Sequence, residues 1–270
     1  MACLALPTLI DVARESWSTD QGAHGPIVLA TGIWLLLREL RSAPVVIKPG
    51  SAPVAVLMLA PLLIAFCLAR IATIIEIESF LMYGALIVAA YAIWGSAVLK
   101  RIWFPLVYML FVFPPPDTLF AMVTQPLKIL ISHLAVSVLW GLGYPVASSG
   151  VSIQIGQYQM LVAAACAGLN SLLSLSALGM FYTYIRHGSS FPYMVGLVVV
   201  IIPVAIIANL IRVLALLLIT YHFGEAAGQG FFHELAGLTM FASALLCIFA
   251  FDRLGAPLVG RWQQEKARSR

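Results

Sequence analysis

Long, unbroken apolar runs alternate with short polar connectors along most of the chain. They fall at roughly Pro26–Leu37 (continuing to Leu40 around Arg38 and Glu39), Val54–Ile71, Phe80–Leu99, Met160–Ile185, Pro192–Ile219 and His233–Phe251. At roughly 1.5 Å per residue, runs of this kind cross a bilayer as helices. One further stretch, Ile102–Trp140, is interrupted: Phe104–Phe113 is too short to span, and Pro114-Pro115-Pro116 removes successive backbone donors. Thr118–Trp140 can span but carries Lys128 and His133, and broken backbone at membrane depth must be buried in protein or line a wet cavity. The pattern predicts an all-α polytopic membrane protein of about seven crossings, one of them Pro-interrupted.

Between the crossings, Pro49-Gly50-Ser51-Ala52-Pro53 reads as a turn. Residues 141–159 hold no charge, and there Val151, Ile153 and Ile155 alternate with Ser152 and Gln154 before Gly156-Gln157, which predicts a short extracytoplasmic strand or hairpin. Residues 1–25 are too mixed to span, with Asp11, Arg14, Glu15 and Asp20, and form a short extracytoplasmic segment. Residues 26–255 make a single transmembrane domain and 256–270 a basic cytoplasmic tail. Met1–Ile10 lacks the basic leader of a cleavable signal peptide.

Composition agrees: the chain is 62% hydrophobic and 10% charged, with mean hydropathy +1.00, far from the roughly 25% charged residues of a soluble domain. The runs are continuous rather than alternating, which excludes a closed β-barrel. The net charge of +4 calls for no nucleic-acid partner, because Lys and Arg sit in connectors and at the C-terminus, where membrane orientation puts them. Basic connectors follow the first, third, fifth and seventh crossings, so the C-terminus is expected in the cytoplasm and the N-terminus outside. Cys3, Cys67, Cys166 and Cys247 make neither a CxxC pair nor a zinc spacing, so no disulfide framework, metal or cofactor is expected.

That orientation brings chemistry to one surface. Cys166 falls about two turns inside the fifth crossing from its outer end, Arg212 near the outer end of the sixth, and His233 at the outer start of the seventh. Taken singly, each has a plain structural reading: Cys166 as apolar packing, Arg212 as an interfacial anchor, His233 as an exposed helix cap. Gly168 and Gly237 serve as helix-packing positions, and Cys3, Cys67 and Cys247 as packing. Asn209, one turn before Arg212, makes a polar patch in an otherwise apolar run. Together the three groups suit acyl transfer. A thiolate attacks, an imidazole moves a proton, and a guanidinium stabilises the anion and lowers a thiol pKa that starts near about 8.5. Glu234 adjoins His233 but points about 100° away on a helix.

Ala165-Cys166-Ala167-Gly168-Leu169-Asn170-Ser171, Asn209-x-x-Arg212 and His233-x-x-x-Gly237 resemble the conserved blocks of the exosortase/archaeosortase family. Ala23-His24-Gly25 resembles that family's Ser-His-Gly stretch, and Arg101-Ile-Trp-Phe-Pro-Leu through Phe113-Pro-Pro-Pro its Pro-rich centre, over roughly residues 7–255. The resemblance implies an integral-membrane cysteine transpeptidase of the cytoplasmic membrane. Its partner would be a membrane-anchored protein with a C-terminal sorting signal: a short motif, a transmembrane helix and a basic tail. Carried over by position, Cys166 is the nucleophile, His233 the general acid/base and Arg212 the stabiliser of thiolate or oxyanion. Asn170, Asn209, Gly168, Gly237 and His24 are in support. Ala167 stands where relatives often have serine, and Gln159–Val162 lacks an acidic residue often found there. Two rival readings remain: a non-enzymatic transporter or scaffold of exopolysaccharide export with Lys128 and His133 on its path, and a serine protease using Ser171 or Ser174.

Overall fold

A computed structural model describes residues 2–19, 22–42, 47–161, 167–188 and 191–224, with isolated positions at 242, 245, 246, 249, 250 and 253. The chain divides into two compact units, Met1–Phe120 and Ala121–Arg270.

The first unit contains α1 (Ala2–Glu15), α2 (Gly25–Arg41), α3 (Ala52–Ile71), α4 (Ile75–Arg101) and α5 (Trp103–Tyr108), followed by a short 3₁₀ turn at Met109–Val112. α3 and α4 pack along one another, α1 packs on α4, and α2 packs on α5 and the 3₁₀ turn. The first 25 residues thus hold a 14-residue helix that their mixed composition did not announce. A polar knot far from it in sequence explains why. Thr8, fully buried on α1, donates its hydroxyl to the Glu78 carboxylate of α4 at 2.6 Å, while Arg70 of α3 donates to the same oxygen at 2.8 Å. A carboxylate this buried is retained only with its partners in place.

The connector between α3 and α4 closes with the Ile74 N–H donating to Ala69 and the Thr73 N–H to Arg70, the paired bonds that end a helix in a left-handed residue. That residue is Thr73, at φ 55. The α4 termini fit the helix dipole, with Glu76 and Glu78 in the first turn and Lys100 and Arg101 in the last. α3 turns large apolar side chains outward, Ile71 at 80% and Leu57 at 76% exposure, as a lipid-facing helix does.

The third crossing was expected to be a continuous helix, but it breaks at Gly95, with φ 78 and ψ 177. The break frees the Tyr91 and Ala92 carbonyls, and the Gly50 N–H of the preceding loop donates to both at 3.2 and 3.3 Å. A Cβ on Gly95 would collide with the Lys48 carbonyl. Gly95→Ala is therefore expected to destabilise the protein by about 3 kcal/mol or more, since this backbone region is essentially glycine-only and the obstacle is main chain. Thermal unfolding in detergent checks this, with Gly84→Ala, which meets only ordinary side-chain contact, as the control.

The expected Pro interruption is present: residues 113–116 are not helical, and α6 starts afresh at Asp117 and runs to Gly141. Beyond it lie β1 (Val146–Ser149), β2 (Ser152–Ile155), β3 (Tyr158–Leu161), α7 (Ala167–His187) and α8 (Phe191–Phe223). The strands form one antiparallel sheet in the order β1-β2-β3. Gly150 and Gly156, at φ 60 and 58, occupy the first central position of two-residue turns, as hairpin turns of primed type require. The expected hairpin is thus three strands. The fifth crossing cannot begin at Met160, because Met160 and Leu161 belong to β3. Ile153 and Ile155 of the sheet pack with Ile131, Ala135 and Leu139 of α6 and Val213, Leu216 and Leu217 of α8.

Four helices among the described residues are long and apolar enough to cross a membrane: Ala52–Ile71, Ile75–Arg101, Asp117–Gly141 and Ile206–Phe223 within α8. The expected count of about seven is not established. α2 has 17 residues with Arg38 and Arg41 in its last turn, and the seventh crossing lies mostly outside the described residues.

Candidate functional site

α8 carries the polar residues around which the site is built. It is apolar nearly throughout, so a buried guanidinium and amide on it are costly and conspicuous. Asn209 is 0% and Arg212 6% exposed. At about 100° per residue they stand roughly 60° apart, one turn from each other on one stripe. The same stripe continues through Leu216 to Thr220, which is 2% exposed and whose hydroxyl has no hydrogen-bond partner among the described residues. Thr220 was missed by the sequence reading for a local reason. The sixth crossing was expected to stop at Ile219, whereas the helix continues to Phe223. Carrying the 3.6-residue period three turns on from Asn209 would have found it. The longer helix also shifts Arg212, which lies about three turns inside the C-terminal end instead of near it.

α7 packs along α8, and a short connector joins them, so the two run as a helical hairpin. Ala167 stands 20 residues before the end of α7, a rise of about 30 Å. An equal rise along α8 from Phe191 reaches about residue 211. By helix rise alone, the start of α7 falls near the level of Arg212. Cys166 immediately precedes Ala167 in the chain, and Gly168 and Asn170 fall in the first turn of α7. β3 ends five residues before Cys166 and touches α8. At the far end of α8, Tyr221 and His222 stack edge-to-face with Tyr144, whose hydroxyl is 3.3 Å from His222 Nε2.

Of the residues singled out in the sequence, Asn209 and Arg212 are brought together. Gly168 and Asn170 open the neighbouring helix. Cys166, His233 and Gly237 lie outside the described residues. His24 belongs to the first unit, half-buried at the start of α2. Burial lowers its pKa below the usual histidine value, opposed by the Phe111 backbone. Lys128 is half-buried and His133 exposed on α6, about 140° apart around the helix, so they share no polar face. Among the described residues no cluster of His, Cys, Asp and Glu could hold a metal ion. Cys67 is a free, exposed cysteine on α3.

A family model described as transmembrane exosortase matches residues 17–250. No curated protein and no solved structure matches the chain.

Proposed function

Because the chain belongs to the transmembrane exosortase family, whose members are membrane transpeptidases, we propose that it cleaves C-terminal sorting signals of exported proteins through a cysteine thioester. What supports this reading is that Asn209 and Arg212 are buried on one stripe of a helix that packs along α7, whose first residue follows Cys166 in sequence. In the proposed reaction the Cys166 thiolate attacks the scissile carbonyl, and Arg212 stabilises the resulting oxyanion. His233 protonates the departing amine as the tetrahedral species collapses to a thioester. An acceptor nucleophile then gives its proton to His233 and displaces the sulfur, transferring the protein to a surface or membrane acceptor. Asn209 positions the guanidinium from one turn below. The reaction belongs at the outer side of the cytoplasmic membrane, by the distribution of basic connectors. The substrate is a membrane-anchored protein bearing a motif, a spanning helix and a basic tail. The transport reading loses support because Lys128 and His133 present no common face.

The test is the thiol itself. With Cys3, Cys67 and Cys247 replaced by serine, a membrane-impermeant maleimide applied to intact cells should label Cys166 rapidly. The pH midpoint of labelling should fall below the roughly 8.5 of a free thiol, and Arg212→Ala should move it upward. A Cys166 that stays unlabelled, or titrates at or above the free-thiol value, sinks the reading.

A further inference from the structure

We infer that the outer edge of β3 binds the substrate's extended segment as an added strand. This rests on the proposed function and deepens it by assigning how the peptide is held.

The register fixes which groups are available. A two-residue turn makes its flanking residues a hydrogen-bonded pair, and hydrogen-bonded and open pairs alternate from there. Ser149 and Ser152 flank the first turn, and Ile155 and Tyr158 the second. The Gly156 N–H donating to Pro145 at 2.9 Å continues the series expected from the first turn. Tyr158 and Met160 therefore spend their main-chain groups on β2. Gln159 and Leu161 direct theirs to the other side, where β3 has no strand neighbour among the described residues.

This edge is built to stay in place. Tyr158 and Met160 pack against the core shared by α6 and α8, and the Gln159 amide donates to Ser152 across the sheet at 3.0 Å. It is also unguarded. Sheet edges usually carry a charge, a proline or a bulge to prevent pairing, yet residues 158–161 read Tyr-Gln-Met-Leu, and 141–161 contain no charged residue. Near a bilayer, unpaired N–H and C=O groups are expensive, so a partner strand is favoured there. The occupant follows from the chain's direction. β3 points along the sequence to Cys166, five residues beyond Leu161, a reach of at most about 17 Å. A peptide paired with Gln159 and Leu161 is held extended, with its main chain fixed, beside the strand that leads to the nucleophile. Main-chain pairing supplies affinity and alternate side chains supply selectivity.

The probe is an epitope-tagged exported protein with a C-terminal spanning helix and basic tail that the unsubstituted chain processes in its own membrane. Gln159→Pro removes one outward N–H, a change that edge strands tolerate. It should slow processing several-fold, up to about tenfold, the loss of one hydrogen bond, while impermeant-maleimide labelling of Cys166 persists. Ser148→Pro removes the equivalent outward N–H from the opposite edge, on β1, and should process normally. If Gln159→Pro fails to accumulate, a benzophenone amino acid at position 159 in the Cys166→Ala chain decides: it should crosslink the tagged protein, and the same group at position 148 should not. Normal processing by Gln159→Pro overturns strand addition. So does a crosslink from 159 to residues 225–241 of the same chain, or to a second copy, that the tagged protein does not displace. The two ideas fail separately: processing by Cys166→Ala defeats the thioester chemistry, whereas Cys166-dependent processing that ignores the β3 edge defeats only the binding mode.

Discussion

Under the proposed mechanism Cys166→Ala is expected to abolish processing of the tagged membrane substrate, with a fall of at least about 10³-fold, because alanine cannot form the covalent intermediate. Cys166→Ser is expected to be nearly as poor, since a hydroxyl lacks the easily formed anion on which the thiol depends. Full-length chain in the membrane and unprocessed tagged protein are both read on one blot. Accumulation of the unprocessed form beside normal levels of the variant separates chemistry from folding. Ser171→Ala and Ser174→Ala in the same assay dispose of the serine alternative: each should process at close to the normal rate, and either one halting the reaction would transfer the nucleophile's role to it. Normal processing by Cys166→Ala would leave an apolar bundle of unknown purpose.

Arg212→Ala is expected to slow processing by about 10²- to 10³-fold, the usual effect of removing one donor to a developing oxyanion. Arg212→Lys should recover little. The ammonium keeps the charge but lacks the planar fork and is more strongly hydrated, a handicap at a position only 6% exposed. Stability separates this from a packing role. Arg212→Lys keeps a cation at that position, so it should retain more of the thermal midpoint than Arg212→Ala while losing activity nearly as fully. Equal losses of activity and folded protein in both variants would reduce Arg212 to a structural group.

What could be read in the chain depended on how local its cause was. Pro114–Pro116 break a helix wherever they occur, so the interruption between α5 and α6 was visible. Asn209 and Arg212 share a stripe by helical period alone, which the structure retains, with both buried. Gly156-Gln157 closed the expected strand or hairpin, but Met160 and Leu161 are too short an apolar pair to separate from the run that follows, so the end of β3 was assigned to a helix. Two other features were hidden because their causes are remote. The break at Gly95 answers to the Lys48 carbonyl, and α1 is held by Glu78, 70 residues from Thr8. The rotation of Lys128 away from His133 was available from the sequence and went unused.

The bond from Thr8 to Glu78 bears on how the protein is handled. Trimming the first fifteen residues to tidy the amino terminus would strip a hydroxyl from a carboxylate that the surrounding helices shield from water. The shortened polypeptide would leave that carboxylate with one partner fewer beside Arg70 and would assemble less completely. Affinity handles for purification belong instead on the basic carboxyl-terminal end.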